Sequence, residues 1–278
     1  MVDIETAVRA VVAVAREQGL RVRDPVVLRD SYNVRVHLRP APVVARVPTV
    51  TRLGRVRPEE ALRRELDVTG FLDELGFPVV PPASDLAPGP YVRGGVAVSF
   101  LTYVPHNPEY EVTAAEAGRA LAGLHEALRA YPGELPAYGP VLDETARLLD
   151  VLDLEPAALA RLREAHARLA GELPRSGMRP VHGDAHPGNL LATADGLLWN
   201  DFEECMLAPA GWDLAVLRGT TALDGRAAVA AYGADPDDPG LAVFRRGRRL
   251  QGVLWQLAKG LRFPGEGRAA LEAWLREG

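Results

Sequence analysis

The chain is poor in cysteine, in lysine and in long apolar runs. It has a single cysteine among 278 residues, and Cys205 alone excludes both an intrachain disulfide and a cysteine-rich metal site. Its apolar stretches, such as residues 11–15, are far shorter than the roughly 20 residues that cross a bilayer. No basic patch precedes an apolar core near the first residues, so no secretory signal is expected. These absences predict a cytoplasmic protein without a membrane span.

An excess of positive charge is also absent. The formal net charge is −5 and the calculated pI is about 5.8. A nucleic-acid binder would need a basic footprint, so nucleic acid is not expected as a partner. The hydrophobic content of 47% is ordinary for a globular protein and does not suggest disorder.

The first hundred residues predict a small antiparallel sheet with one inserted helix. Apolar periodicity indicates a helix over residues 3–18. A second helix begins with Pro58 in its first turn, runs to Leu75 and ends before Gly76. Turn-forming residues, including the pair Gly94-Gly95, separate short β-rich runs. The predicted strands are residues 25–28, 34–38, 43–47, 91–92 and 96–101.

Beyond Tyr103 the pattern becomes mainly helical. A capping box at Thr113 and Glu116 begins a helix that runs to about residue 130. Further helices are predicted at residues 142–152, 156–172, 212–218, 224–232, 239–260 and 267–276, around a β-like patch at 181, 190–192 and 197–199. The predicted fold is α+β and bilobal, with a β-rich lobe over residues 1–103 and a helical lobe over 104–278. A cleft between two such lobes is a natural ligand site.

The chemistry is concentrated in residues 181–203. Phosphoryl transfer needs a base that positions the acceptor hydroxyl, and oxygen ligands for magnesium near the γ-phosphate. Asp184, Asn189 and Asp201 supply these groups. Asp184 and Asn189 share one loop between short strands, and the Asp195-Gly196 turn folds Asp201 back beside them. Magnesium takes few protein ligands and completes its shell with phosphate and water.

Three motifs carry a resemblance to a known family. His182-Gly183-Asp184 followed by Asn189 resembles the HGDxxxxN catalytic loop of the aminoglycoside phosphotransferase family. Asp201-Phe202-Glu203 is similar to that family's magnesium-binding element, and Gly211-Trp212-Asp213-Leu214-Ala215 is similar to the element that follows. The resemblance implies a protein-kinase-like fold and transfer of a phosphate from ATP, with Mg²⁺, to a small-molecule hydroxyl. It implies Asp184 as base, Asn189 and Asp201 as metal ligands, and Asp213 as a brace of the catalytic loop. His182 is interpreted separately as a buried structural histidine.

The resemblance extends into the N-terminal half. Residues 42–47 look like the strand whose basic residue contacts the α- and β-phosphates, which implies Arg46, where kinases usually carry lysine. Glu65 would pair with that cation. In the segment resembling the hinge, the C=O of Thr102 and the N–H of Val104 would meet the adenine edge. Members of the family use ATP or GTP, and backbone contacts at the hinge leave that choice open. The phosphate-covering turn, which includes Ser31, has no glycine.

The acceptor is left open by the sequence. Glu203 and Glu204 form either an acidic lining for a cationic substrate or an ordinary polar loop. The arginine-rich segment 245–249 is interpreted as a solvated helix face. The favoured hypothesis is an O-phosphotransferase acting on an aminoglycoside, another antibiotic or a similar small molecule. The alternatives are a metabolic kinase of the homoserine, choline or fructosamine type, and a nucleotide-binding pseudokinase with a regulatory role. Neither the oligomeric state nor a role in resistance rather than metabolism follows from the sequence.

Overall fold

A computed structural model describes residues 2–277 and shows the α+β organisation expected from the sequence. The strands of these residues are β1 (Asp24–Asp30), β2 (Asn33–Arg39), β3 (Val43–Pro48), β4 (Tyr91–Arg93), β5 (Val96–Thr102), β6 (Arg179–Val181), β7 (Leu190–Thr193), β8 (Gly196–Trp199) and β9 (Met206–Ala208). The helices are α1 (Ile4–Glu17), α2 (Pro58–Glu74), α3 (Ala114–Leu128), α4 (Gly139–Val151), α5 (Pro156–Glu172), α6 (Gly211–Gly219), α7 (Gly225–Tyr232), α8 (Leu241–Gly260) and α9 (Arg268–Glu277).

The N-terminal sheet has five antiparallel strands in the order β1-β2-β3-β5-β4. Because strand side chains alternate between faces, Val34, Val36 and Leu38 of β2 point into one core, which α1 covers. Arg35 on β2 and Arg46 on β3 belong to the other face, which borders the cleft toward the helical part.

Helices α1 and α2 begin and end where local chemistry predicts. The Asp3 side chain caps α1 by accepting the N–H of Thr6 at 2.7 Å. Pro58 lies in the first turn of α2, and Gly76 follows its end with φ +68°, a conformation that favours glycine. The inner face of α2 has two partners, because Val68 and Leu72 pack in the core of the helical part while Glu65 lies against Arg46.

The helical part contains two small β-structures that carry the chemistry. The predicted hairpin is present as β7 and β8, and the capping box at Thr113 and Glu116 begins α3. Strand β9 was not predicted from the sequence, because its three residues form no periodic pattern. It pairs with β6, so only the long-range pairing defines it as a strand. The predicted start of α4 was also wrong by a few residues, since the helix already begins at Gly139.

The two parts of the chain each have a hydrophobic core, and contacts cross between them. The division at residue 103 stays a prediction, because Val68 and Leu72 of α2 precede it yet pack with the helical part. Arg262, after α8, donates two hydrogen bonds of 2.9 Å to Asp30 at the end of β1. Among residues 2–277, no helix combines the length and the apolar character that a membrane span requires.

Candidate active site

The loop between β6 and β7 carries Asp184, and its backbone passes very close to the segment after Asp201. Gly183 has φ +88°, and a Cβ on it would lie 2.1 Å from the carbonyl oxygen of Glu204. Any side chain at this position would therefore force the loop away. The indole N–H of Trp212 stabilises the loop by donating a hydrogen bond to the Gly183 carbonyl at 2.8 Å.

Asp213 fixes the start of this loop. Its fully buried carboxylate accepts the backbone N–H groups of His182 at 2.8 Å and Gly183 at 2.9 Å, and it lies 2.9 Å from Nε2 of His125. His182 Nδ1 accepts the N–H of Asp184, so Nε2 carries the hydrogen and donates to the Asn200 carbonyl at 3.0 Å. Burial lowers the pKa of His182, which favours the neutral ring. The structure thus places both residues as supports of the loop that carries Asp184.

Asp184 projects from the loop into a cavity and contacts two basic side chains. Its Oδ1 accepts a hydrogen bond from the Arg248 guanidinium, and Nε2 of His186 lies 3.5 Å from Oδ2. Burial alone would raise the pKa of Asp184, but the charge of Arg248 and the hydrogen bond with His186 hold it well below the ordinary value of 3.8. Asp184 is therefore ionised at neutral pH, as a proton acceptor must be.

Asn189 and Asp201 lie beside Asp184. The amide of Asn189 donates to the Asp184 carbonyl at 2.9 Å, which leaves its side-chain oxygen available as an acceptor. Asp201 follows β8 with φ +70°, an uncommon conformation for a residue with a side chain. Each of its two carboxylate oxygens accepts a hydrogen bond from an arginine, Oδ1 from Arg46 at 2.6 Å and Oδ2 from Arg35 at 2.5 Å.

This donor set fits magnesium only in combination with phosphate. One carboxylate and one amide oxygen are hard oxygen ligands of the kind that Mg²⁺ takes from proteins. Within residues 2–277, no cluster of three or more histidine, cysteine or acidic side chains could hold a metal ion alone. Asn189 and Asp201 would therefore supply a minority of the ligands. Asp201 would also have to exchange an arginine contact for the metal.

Arg46 lies at the centre of a buried charge network under the cleft. Its guanidinium is 3.0 Å from the Glu65 carboxylate on α2, 2.6 Å from Asp201 and 3.6 Å from Glu203. Burial opposes the charge, but these three carboxylates outweigh it and raise the pKa of Arg46 above its ordinary value. The sequence-predicted pair of Arg46 and Glu65 is thus in contact.

The hinge residues line a cavity of about 570 Å³ between the sheet and the helical part. The Thr102 N–H donates to Pro81 and the Tyr103 N–H to Pro42, whereas the N–H of Val104 donates to no group within residues 2–277. Several apolar side chains line this cavity: Val44, Val80, Leu101, Leu190 and Leu191. Apolar lining beside backbone groups that can hydrogen-bond suits a purine base.

A second cavity of about 450 Å³ lies on the other side of Asp184. It meets the hinge cavity at Arg29, Arg35 and Gly188, which line both. Ser31, from the glycine-free turn, lines this second cavity. Two aromatic rings form part of its wall, Tyr32 from the same turn and Trp255 from α8, with ring centroids 6.3 Å apart.

The two candidate substrate residues differ in their surroundings. Glu203 is buried, and its oxygens accept from Asn33 at 2.9 Å and from Arg55 at 2.6 Å. Glu204 accepts from Gln251 at 3.0 Å and lies 3.6 Å from Arg248. Burial and the charge of Asp184 raise the pKa of Glu204 to about 8. Glu203 is therefore occupied within the protein, whereas Glu204 lines the cavity as a neutral acid near pH 7.

A family model described as the phosphotransferase enzyme family matches residues 15–248. The chain belongs to this family. The membership confirms the expected enzyme class, a phosphotransferase. No curated protein matches the chain.

Solved structures of several kinases share the fold of this phosphotransferase. The choline kinase LicA from Streptococcus pneumoniae has 15% identity and a TM-score of 0.66, and the match covers 97% of this chain and 98% of that one. The amicoumacin kinase hAmiN, solved with AMP-PNP and Ca²⁺, has 14% identity and a TM-score of 0.70 over 99% and 94% of the two chains. Aminoglycoside 2′-phosphotransferase-IIIa, in its GDP complex, has 15% identity and a TM-score of 0.56 over 97% and 96%. At these identities the likeness establishes the bilobal kinase fold.

Two arginines of the phosphotransferase were missed by sequence reasoning. The interpretation of segment 245–249 as a solvated face was wrong for Arg248, which turns inward to Asp184 while Arg245 and Arg246 are exposed. Helical spacing could have found it, because Arg248 lies one turn after the buried Phe244 and one turn before Gln251. The sequence also indicated the position of Arg35. It alternates with the apolar residues Val34 and Val36 along β2, so its side chain belongs to the opposite face of the sheet, which borders the cleft.

Proposed function

We propose that this phosphotransferase transfers the γ-phosphate of ATP to a hydroxyl of a small molecule. The observation that carries the proposal is the position of Asp184. Its ionised carboxylate lies in one cavity with Asn189 and Asp201, and Arg35 and Gly188 line both that cavity and the hinge cavity. A donor in the hinge cavity and an acceptor in the second cavity would meet beside Asp184.

In this proposal Asp184 accepts the proton of the attacking hydroxyl. Its low pKa makes it a weak base, which suits a reaction whose transition state is loose and demands mainly positioning. The hydrogen bonds of Asp213 to the loop hold Asp184 in place. Asn189 and Asp201 would hold Mg²⁺, which when bound would supply positive charge to the phosphate oxygens. Arg46, steadied by Glu65, contacts the phosphates.

The hinge supports a purine nucleotide. The free N–H of Val104 and the carbonyl of Thr102 would hydrogen-bond to the base, and Leu101 and Leu191 would pack on its faces. Among the similar structures, the amicoumacin kinase was solved with an ATP analogue and aminoglycoside 2′-phosphotransferase-IIIa with GDP. We propose ATP as the phosphate donor and GTP as the alternative. A competition experiment, in which the two nucleotides compete for the same site, distinguishes between them.

The second cavity supports a small acceptor better than a polycationic one. Its carboxylates are balanced: Asp184 by Arg248, and Glu203 by Arg55. Glu204 is protonated near neutrality. An aminoglycoside with several ammonium groups would find little uncompensated negative charge here, whereas a small hydroxylated molecule could pack against the cavity wall that Tyr32 and Trp255 form together. We therefore favour a metabolic small-molecule kinase over an aminoglycoside-resistance enzyme.

A panel assay tests this function. Purified protein with magnesium-ATP is offered amino alcohols, sugars, polyols, aminoglycosides and macrolides, and ADP formation and phosphate monoesters are measured. Asp184→Asn should lower the rate by about 10²–10⁴-fold. Asp195→Asn makes the same chemical change in the exposed β7–β8 turn and should leave the rate unchanged.

The same assay distinguishes the remaining hypotheses. Near wild-type turnover by Asp184→Asn would refute the assigned base. Nucleotide binding without turnover on the whole panel would instead favour a pseudokinase, although Asp184, Asn189 and Asp201 are all present. Phosphorylation of aminoglycosides alone would overturn the preference for a small neutral or singly charged acceptor. The cytoplasm, where ATP is abundant, stays the predicted location.

A further inference from the structure

Three arginines on neighbouring strands face the cleft side by side. In the strand register Arg29 of β1 pairs with Arg35 of β2, and Arg35 pairs with Arg46 of β3. Arg29 and Arg35 line both cavities, and Arg46 lines the hinge cavity. Like charges directly opposite one another destabilise an antiparallel pair. Such an arrangement therefore needs anions in front of it.

The protein gives Arg35 less negative charge than it gives Arg46. Arg46 lies 3.0 Å from the buried Glu65 and 3.6 Å from Glu203, and it shares Asp201 with Arg35. Asp201 is the only carboxylate in salt-bridge contact with Arg35 among residues 2–277. The permanently charged guanidinium of Arg35, which is 26% exposed, thus depends on a carboxylate that it shares with Arg46.

The turn above these arginines lacks the usual means of holding phosphate. Glycine allows backbone N–H groups to approach phosphate closely, but the turn from Asp30 to Asn33 has none. The turn is also held to the helical part, because Asp30 binds Arg262 and Asn33 binds Glu203. In a fixed turn without glycine, Ser31 offers a hydroxyl, and the positively charged groups that can meet phosphate oxygens come from side chains of the strands.

We propose that Arg35 is a second phosphate-binding residue, which acts with Arg46 on the polyphosphate of the nucleotide in place of a glycine-rich turn. The proposal rests on the proposed function. The planar guanidinium fork matches phosphate oxygens, and Arg35 lies where the two cavities join. When phosphate supplies the missing negative charge, Arg35 releases Asp201 Oδ2, and that oxygen becomes available to the metal.

Binding without metal isolates this role. Calorimetric titrations in EDTA compare ADP with adenosine on the wild type and on Arg35→Gln. Loss of a charge-assisted phosphate contact should weaken ADP binding by about tenfold or more and leave adenosine binding unchanged. Arg35→Lys should recover part of the ADP affinity, because it restores the charge without the fork. Arg39→Gln, which removes an exposed arginine from the same face of β2, should bind both ligands as the wild type does.

A double variant separates phosphate binding from support of Asp201. If Arg35 only positions Asp201, the Arg35→Gln effect on ADP should vanish in an Asp201→Asn background. If Arg35 binds phosphate, the loss should persist there. Equal ADP affinity of wild type and Arg35→Gln would overturn the inference while leaving the proposed function intact. A wild type that binds neither adenosine nor ADP would overturn both. Circular dichroism confirms that each variant is folded.

Discussion

Replacing Arg248 with methionine tests how the protein keeps Asp184, the proposed base, ionised. The substitution keeps much of the apolar stem and removes the charge that touches Asp184. Among the influences that lower the pKa of Asp184, Arg248 is the largest, and burial acts in the opposite direction. Without Arg248, burial is opposed mainly by His186, so the pKa of Asp184 must rise.

The size of the rise follows from the contact. Two opposite charges about 4 Å apart interact by about 4 kcal/mol at an effective dielectric constant of about 20, which corresponds to about 3 pKa units. The two side chains are 29% and 21% exposed, so water screens part of this interaction. We expect the pKa of Asp184 to rise by about 2 units in Arg248→Met.

The assay is a ¹³C NMR titration of aspartate carboxyl carbons between about pH 3 and pH 8. The Asp184 signal is the one missing from Asp184→Asn. In the wild type it should stay in the ionised position down to the acid end of the range, whereas in Arg248→Met it should begin to move toward the protonated position there. The acid limb of the pH–rate profile should move upward in parallel, because protonation removes the base.

Two matched variants make the result decisive. Arg248→Lys retains a positive charge near Asp184 and should keep its pKa low. Arg245→Met removes an exposed arginine one turn earlier in α8 and should change nothing. An unshifted Asp184 signal in Arg248→Met would refute the conclusion that this contact controls the charge of the catalytic carboxylate.

Two further predictions concern stability. Asp213→Asn should lower the free energy of unfolding by about 2–3 kcal/mol in urea denaturation, because an amide cannot accept from His182, Gly183 and His125 together; a loss below about 0.5 kcal/mol would contradict the bracing role. The folded-state pKa of Glu204, about 8, exceeds its ordinary 4.5, so its contribution to stability is full below about pH 4.5 and declines as the pH rises toward 8. Glu204→Gln lacks this decline, so its stability relative to wild type should increase from pH 5 to pH 9; parallel stability curves would exclude the raised pKa.

Local signals were enough to predict most of the fold. Helix α2 has proline in its first turn and glycine after its end, and α3 has its capping box, because these devices act within a few residues. The alternation of Val34, Val36 and Leu38 placed β2 in a half-buried sheet. The sequence did not predict strand β9, because these residues form a strand only by pairing with β6. No local pattern indicates a pairing partner that is so distant in sequence.

The sequence by itself determined the ingredients of the active site. Asp184, Asn189 and Asp201 could be predicted to meet because a short loop and a tight hairpin limit how far apart they can be. The pairing of Arg46 with Glu65 came only from the family resemblance.

Only the tertiary structure decided which charges face one another across the site. Arg248 reaches Asp184 from 64 residues away, Arg35 reaches Asp201 from 166 residues away, and Arg55 occupies Glu203. These contacts depend on how α8 and the N-terminal sheet pack around the loop, and such packing is cooperative over the whole chain. The sequence therefore predicted that one loop and one hairpin bring Asp184, Asn189 and Asp201 together, whereas the fold determined which charges surround them.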